Sequence, residues 1–300
     1  MGRGRWATQD RQVAGGRLLG DADVAAALAV CALDPVASVL ATARLESAAR
    51  SGLRSTGGQL WGYEVAGELL AVCWAGANLV PVVPVDDVAE DALDGFAALA
   101  SRYGRRCSSI VGESPAVLGL WDRLSEEWPR AREVRADQPS MVLDDDPALD
   151  PDPAVRRSHP GEYPLVLPAC VRMFVEEVGY SPVSGTDGPY EARVRSLIAD
   201  GRSFVRIEDG VASDGGPGVV FKAELGAVAG GVAQVQGVWV SPSHRGLGLS
   251  EPGMAAVVAA TRRDVAPVVS LYANHYNARA LAAYRSVGFR QVGTYATVLF

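Results

Sequence analysis

The sequence predicts an α/β (α+β) protein of two domains, with a mixed central sheet flanked by helices. Three observations support this prediction. Helical and strand-like patterns alternate in both halves of the chain. Hydrophobic residues make up 48% of the 300 residues, which is ample for two cores. A Pro- and Asp-rich stretch, Val142–Pro164, interrupts the alternation near the middle of the chain.

The Pro- and Asp-rich stretch sets the predicted domain boundaries. It combines five prolines with a run of acids and few apolar residues, a composition that is typical of an extended linker. We therefore expect an N-terminal α/β domain over residues 1–143, a linker over 144–161 and a C-terminal domain over 162–300. Each domain then has an ordinary size for a single core.

The composition disfavours several classes of partner. The formal net charge is −7 and Lys222 is the only lysine, so the chain offers no concentrated basic face to nucleic acid or to an anionic membrane. The basic tail Met1–Gln12 lacks the apolar core of a secretory signal. Prolines interrupt the apolar run Leu69–Val85 before it reaches membrane-spanning length. We therefore expect a cytoplasmic protein that binds neither nucleic acid nor membrane.

The cysteines predict no metal site. The four cysteines are spread along the chain without a CxxC motif or a Cys/His cluster, at positions 31, 73, 107 and 170. Buried small side chains are the simpler interpretation of such cysteines.

The N-terminal half predicts the order helix, helix, strand, strand, helix, strand, helix. The corresponding segments are Asp21–Leu33, Pro35–Arg50, Leu60–Gly67, Leu69–Val83, Val85–Tyr103, Ser108–Val111 and Pro115–Trp128. This half contains no Gly-rich phosphate loop, no histidine and no clustered carboxylates that would suggest catalysis.

The C-terminal half predicts two helices, a three-stranded antiparallel meander, and then helix, strand, helix, strand. The helices are Leu167–Gly179 and Tyr190–Asp200, followed by strands Ser203–Gly210, Gly218–Ala229 and Gln234–Val240, helix Glu251–Arg263, strand Ala266–Asn274, helix Asn277–Phe289 and strand Arg290–Phe300.

One turn in this half has the features of an anion site. After the strand that ends at Val240, Gly246 and Gly248 permit backbone conformations and close contacts that a Cβ would block. The helix that follows begins with N–H groups that have no intrahelical partner, and Arg245 adds a full positive charge beside them. Phosphate fits such a site, although glycines of this spacing can also simply shape a tight turn.

A second motif downstream favours the anion site. In Ser270–Phe289, intervals of four and three residues place Asn277, Leu281 and Tyr284 on one helical face. Together with Val240-Ser-Pro-Ser-His-Arg-Gly-Leu-Gly-Leu-Ser250 and Gly288-Phe289, this pattern resembles the GCN5-related N-acetyltransferase (GNAT) family over about residues 162–300. Ser250 stands where the family usually has Gly or Ala, and it is small enough to leave the loop intact.

The resemblance extends to one branch of that family. The stretches MFVEEVGYSP, QVQGVWVSP, PVVSLYAN and TVLF are similar to those of actinobacterial acetyltransferases that carry an N-terminal domain of the DUF4081 type. The element order of the N-terminal half suggests a degenerate second copy of the GNAT fold. Since that copy lacks an Arg-Gly-x-Gly loop, we do not expect it to bind the cofactor in the usual way.

The resemblance implies binding of acetyl-CoA and transfer of its acetyl group to an amine of a small molecule or protein; it leaves a homodimer open. In the family, the backbone of residues corresponding to Val238, Trp239 and Val240 pairs with the pantetheine arm as an added strand would. Asn277 would also bond that arm, or would cap its helix. The pyrophosphate would be held by Arg245 and by the N–H groups of Gly246, Leu247, Gly248, Leu249 and Ser250.

Direct transfer also needs a polarised thioester carbonyl, a proton for the departing thiolate and a neutral amine. The resemblance assigns the first task to a backbone N–H near Val240 and the second to Tyr284, which could otherwise be a core aromatic residue. The general base stays open, because this chain has Gln234 and Gln236 where many relatives have a carboxylate. The candidates for the base are Glu224, Glu176, Glu177, the Phe300 carboxylate and a water chain.

Two classes of function follow from this pattern. The first is an N-acetyltransferase, and the second is an acyl-CoA sensor or scaffold whose missing base reflects lost catalysis. The intact loop and Tyr284 favour the enzyme.

Overall fold

The computed structural model describes residues 15–183, 188–211 and 215–300. The basic tail Met1–Gln12 therefore lies outside the described residues, as does part of the Gly-rich turn after Gly210. The chain divides into two compact units: unit 1 comprises Met1–Gln138 and Gly293–Phe300, and unit 2 comprises Pro139–Val292.

Unit 1 is a mixed sheet with helices. Its sheet has the strand order β1-β2-β3-β4-β5-β12, in which β4 and β5 are parallel and the other neighbours are antiparallel. The elements are β1 Gly16–Leu19, α1 Val24–Cys31, α2 Pro35–Ser51, β2 Gln59–Val65, β3 Glu68–Ala75, β4 Asn78–Val82, α3 Ala89–Tyr103, β5 Ser109–Glu113, α4 Ser114–Leu124 and the last part of β12, Arg290–Leu299.

In unit 1, local sequence explains the ends of α2, and the structure shows one turn that the strand pattern did not predict. The side chain of Asp34 accepts a hydrogen bond from the N–H of Ala37 and caps α2, which has Pro35 in its first turn and ends before Gly52. The apolar run Leu69–Val83 forms two antiparallel strands, because the chain turns between Ala75 and Asn78.

The strands of unit 2 have the order β6-β11-β10-β9-β8-β7, in which only β10 and β11 are parallel among the pairs described. The elements are β6 Glu133–Leu143, which begins in unit 1, β7 Arg156–Arg157, α5 Tyr163–Val178, α6 Pro189–Ala199, β8 Ser203–Glu208, β9 Gly218–Ala229, β10 Val232–Val240, α7 Ser250–Asp264, β11 Val268–Tyr272 and α8 Ala278–Val287.

The two units repeat one plan. In each, a short strand and two helices precede an antiparallel meander, and a helix then leads to a strand that lies parallel to the last strand of the meander. A further helix and an antiparallel strand complete the sheet. The fold class and the expected second copy in the N-terminal half are therefore confirmed.

The closing strand of each sheet differs from the one that the sequence boundaries suggest. Pro139–Leu143 pairs with β11 of unit 2, and Met141 and Leu143 lie in the core of that unit. Gly293–Phe300 belongs to unit 1, where Ala296 and Val298 lie in the core. The two strands have similar apolar patterns, so local sequence does not reveal which sheet each strand joins.

The Pro- and Asp-rich segment, residues 144–161, belongs to unit 2 and packs on it. Asp152 is 9% exposed and accepts a hydrogen bond from Arg206 at 2.8 Å, while the N–H of Ala148 bonds to the carbonyl of Val287. Asp146 pairs with Arg262 at 2.6 Å. The composition suggested an extended linker, but several of its acids make ion pairs with arginines of unit 2.

The helices give no sign of a membrane span. Among the described residues, no helix is both long enough and apolar enough to cross a bilayer.

Candidate active site in the C-terminal unit

The central feature of unit 2 is a gap between two parallel strands. The paired residues of β10 and β11 run from Val232–Val268 to Gln234–Ser270. β10 continues beyond this point to Val240 and stays paired with β9, where Val240 lies opposite Phe221. The two strands therefore separate in their C-terminal halves.

A β-bulge lies within the separated part of β10. Gln236 pairs with Glu224 and Trp239 pairs with Lys222, so Gly237 and Val238 together lie opposite one residue of β9. Gly237 has φ +61°, the left-handed conformation that glycine adopts readily and that occurs at the first position of such bulges. The bulge changes the direction of the backbone that follows it.

The ladder places the N–H of Val240 on the open side of β10. The N–H of Ser241 donates to the carbonyl of Val220 on β9 at 2.9 Å. Successive residues of a strand direct their N–H groups to opposite sides, so that of Val240 points away from β9. Val238 and Val240 pack against the main core, whereas the ring of Trp239 is buried on the α5 side.

The loop after β10 has the geometry of an anion cradle. Gly246 and Gly248 have φ +82° and +71°, and a Cβ built on either would meet no atom within 4 Å. The space beside these glycines is open, and α7 begins directly after them at Ser250. Its first N–H groups have no intrahelical partner and carry the positive end of the helix dipole. A phosphate group fits this combination.

Arg245 is held at the edge of the loop. Its Nε donates to the carbonyl of Val240 at 3.1 Å, and its Nη2 is paired with the carboxylate of Glu176 on α5. The indole N–H of Trp239 donates to the same carboxylate oxygen at 3.3 Å. The guanidinium thus lies next to the end of β10, in an ion pair that is partly exposed to solvent.

Asn277 caps the last helix of unit 2. Its side-chain oxygen accepts a hydrogen bond from the N–H of Ala280 at 3.2 Å, at the first turn of α8. This is the helix-capping role that the sequence left as one of two alternatives.

Tyr284 is 7% exposed and belongs to the main core of unit 2, where its ring meets that of Phe289 edge to face. Burial, with a further contribution from the negative charge of Glu177, raises the pKa of Tyr284 to about 12. The phenol of Tyr284 thus holds its proton more tightly than an exposed tyrosine does.

Two of the candidate bases are engaged with cations. Glu224 is 6% exposed and lies 2.8 Å from the ammonium of Lys222. Burial alone would raise the pKa of Glu224, but the charge of Lys222 and its hydrogen bond lower it below the ordinary value. Glu176 is paired with Arg245. Neither carboxylate is well placed to accept a proton.

The other two carboxylates differ in position. Phe300 belongs to unit 1, where its ring packs against Trp121 and Trp128, so it is not part of the unit that carries Tyr284. Glu177 lies on α5, seven residues after Cys170, and is the carboxylate whose charge acts on Tyr284.

Lys222 is the residue that sequence reasoning missed. It is fully buried beside the bulge, although a lysine in a strand is usually solvated. Two signals were available: it is the only lysine of the chain, and Glu224 two residues later must share its face of the strand. Within the described residues, no group of three or more His, Cys, Asp and Glu side chains is arranged to hold a metal ion.

Comparison with known proteins agrees with this geometry. Residues 181–289 match the model of the acetyltransferase (GNAT) family, and residues 58–166 match that of a domain of unknown function, DUF4081. No curated protein sequence matches the chain.

Solved structures share the fold at low identity. A GCN5-related N-acetyltransferase from Sphaerobacter thermophilus is 17% identical with a TM-score of 0.55, over 94% of this chain and 93% of that one. A Drosophila protein is 14% identical with a TM-score of 0.60, over 95% and 98%. A tandem GNAT protein from the clavulanic acid biosynthesis pathway is 13% identical with a TM-score of 0.46, over 95% and 98%. The chain therefore carries a GNAT acetyltransferase domain over residues 181–289, after a DUF4081 domain over residues 58–166, and the GNAT domain supports an acyltransferase.

Proposed function

We propose that unit 2 is an acetyl-CoA-dependent N-acetyltransferase that transfers an acetyl group directly to an amine of a small molecule or protein. The observation that carries the proposal is the open loop at Gly246 and Gly248, which lies between the end of the separated strand β10 and the start of α7. When bound there, acetyl-CoA would supply the acetyl group as a thioester.

Different residues would bind the pyrophosphate and the pantetheine arm of acetyl-CoA. Arg245 and the N–H groups of Gly246–Ser250 would hold the pyrophosphate, because a guanidinium there lies beside the N–H donors at the start of α7. The backbone of Val238–Val240 would pair with the pantetheine arm on the side of β10 that β11 leaves free. Asn277 would reach the same arm with its amide group while its oxygen caps α8.

The transfer step needs a donor for the developing negative charge and a proton for the leaving thiolate. The N–H of Val240 points away from β9 and would polarise the thioester carbonyl. Tyr284 would donate its phenolic proton to the thiolate sulfur, because a tyrosine side chain is protonated at neutral pH. Glu177, whose charge acts on Tyr284, or a water chain would take the proton from the amine.

Unit 1 would not bind the cofactor at the corresponding position. The segment between β4 and α3 carries Asp86 and Asp87 in place of the Arg-Gly-x-Gly loop, and the first turn of α3 carries Glu90 and Asp91. These carboxylates repel a pyrophosphate at the helix start.

An acyl-CoA sensor is the second candidate. The engagement of Glu224 and Glu176 in ion pairs favours it, because these carboxylates would then hold the structure together without taking part in proton transfer.

Purified full-length protein distinguishes the two candidates. Thiol release from acetyl-CoA should be measured against a panel of small-molecule and peptide amines, beside calorimetric titration with CoA. Amine-dependent thiol release that falls in Tyr284→Phe supports the enzyme. Binding without turnover across the panel supports the sensor, and the absence of CoA binding contradicts both.

A further inference from the structure

The bulge of β10 is joined to a buried charge. The ammonium of Lys222 donates to the carbonyl of Gly237 at 2.9 Å and lies 2.8 Å from Oε1 of Glu224. The Sδ of Met173 on α5 lies 3.5 Å away, and the thiol of Cys170 donates to the same oxygen of Glu224 at 3.2 Å. Every one of these contacts lies within unit 2.

The ammonium of Lys222 gives the carbonyl of Gly237 a hydrogen-bond donor within the bulge. Gly237 has no partner residue on β9, since the register passes from Gln236–Glu224 to Trp239–Lys222. The Gly237 carbonyl is partly buried, and the fully buried ammonium donates to it. Lys222 therefore holds the Gly237 carbonyl in one direction.

Stability alone does not account for this cluster. Two buried ions lose their hydration, and apolar residues of similar volume at such positions are often as stabilising or more so. The pair lies where β10 is no longer paired with β11. A change of backbone direction there affects the gap between these two strands.

We propose that Lys222 is a positioning residue for the acyl end of the cofactor. By fixing the carbonyl of Gly237, it orients the N–H and C=O groups of Val238–Val240 that face the gap between β10 and β11. This inference rests on the proposed function, because it assigns the gap to the pantetheine arm and the thioester. Lys222 does not touch the reacting atoms, and its effect passes through the backbone.

The test separates positioning from packing. Lys222→Met/Glu224→Gln replaces the ion pair by neutral side chains of similar size, so no buried charge is left unpaired. Val194→Ala, at a buried position of α6 in the cluster that contains Trp239, is the matched control for loss of packing. Calorimetry with two probes, acetyl-CoA and adenosine 3′,5′-bisphosphate, compares the whole cofactor with its nucleotide end.

The expected result is selective. The double variant should bind acetyl-CoA roughly tenfold more weakly, the equivalent of one or two lost hydrogen bonds. Its affinity for adenosine 3′,5′-bisphosphate should change by less than about twofold, since the loop at Gly246–Ser250 is untouched. Val194→Ala should keep both affinities, whatever its loss of thermal stability.

Two results would overturn the positioning role. One is a folded double variant that retains the affinity of the wild type for acetyl-CoA. The other is a parallel loss of both affinities, because it indicates a general change in unit 2. If the wild type binds neither probe, the proposed function fails before the role of Lys222 is reached.

Discussion

At the scale of single residues, the candidate site depends on backbone conformations that few side chains adopt. Gly237, Gly246 and Gly248 all have φ between +61° and +82°, and each lies where β10 ends or the loop begins. The glycine pattern of the loop is visible in the sequence. The conformation of Gly237 is not, because a single glycine within a strand can be a bulge or a simple weak point.

Gly248→Val tests the loop. Valine at φ +71° should cost about 1–2 kcal/mol of stability, and its branched side chain would enter the open space beside the loop. We expect a folded protein whose CoA affinity, measured by calorimetry, falls at least tenfold.

Gly231→Val is the matched control for this prediction. Gly231 has φ +75° and equally open surroundings, but it lies in the turn between β9 and β10. It should show the same loss of stability with CoA affinity intact. Equal affinities in the two variants would refute the assignment of the loop.

Tyr284→Phe tests the proposed acid. The change keeps the ring in the core and removes the only proton that the side chain can donate. The kcat for acetyl transfer should fall about 10²–10⁴-fold with little change in acetyl-CoA affinity, as single-turnover kinetics and calorimetry would show. A core role alone would instead leave kcat near that of the wild type.

The site residues were predictable in part, and for a physical reason. Arg245 stands in a local glycine motif, and Asn277 and Tyr284 stand seven residues apart on one helix, so these patterns can be read directly. The ion pairs of Glu176 with Arg245 and of Glu224 with Lys222 depend on how α5 and β9 meet β10. Such contacts arise only from tertiary packing.

At the scale of helices and strands, periodicity predicted most elements but not the sheet to which two strands belong. Leu143 and Val298 are both buried strand residues of similar sequence context, yet Leu143 lies in the core of unit 2 and Val298 in that of unit 1. An alternating pattern predicts that one face of a strand is buried, but it does not predict the partner strand. For strands this far apart in sequence, the partner depends on how each sheet is completed.

A reciprocal pair of variants tests the exchanged strands. Val298→Ala removes buried methyl groups from unit 1 and should cost about 2 kcal/mol, while Met141→Ala should cost about as much or more in unit 2. Hydrogen exchange measured by mass spectrometry should increase in β5 for Val298→Ala and in β11 for Met141→Ala. Faster exchange of β11 in Val298→Ala, with β5 unchanged, would contradict the strand assignment.

At the scale of the whole molecule, buried cysteine thiols and a buried tyrosine phenol make the free energy of unfolding depend on pH in the alkaline range. Burial raises the pKa of Cys31 to about 11 and that of Cys170 to about 12, and burial followed by the charge of Glu177 raises that of Tyr284 to about 12. The folded chain therefore holds these protons more tightly than the unfolded chain does.

These buried protons stabilise the fold at neutral pH and below. Their contribution is complete below the unfolded pKa values of 9.0 for cysteine and 10.0 for tyrosine, and it is lost as pH rises through the folded values. We expect the free energy of unfolding in urea to fall by several kcal/mol in all between about pH 9 and 11–12, since a tenfold difference in proton affinity corresponds to roughly 1.4 kcal/mol for each group. A free energy that stays constant over this range would contradict the burial of these groups.

The two units share one plan but not one set of chemical groups. Unit 2 has the open Gly-rich loop before α7, while unit 1 has four carboxylates around the start of α3. A chain with this distribution should bind one cofactor molecule.

Calorimetric titration of the full-length protein with CoA tests this account most directly. We expect one CoA per chain, with Gly248→Val reducing the affinity at least tenfold and Gly231→Val leaving it unchanged. Two equivalent sites would contradict the assignment of binding to unit 2 alone, and the absence of binding by the wild type would contradict the proposed function itself.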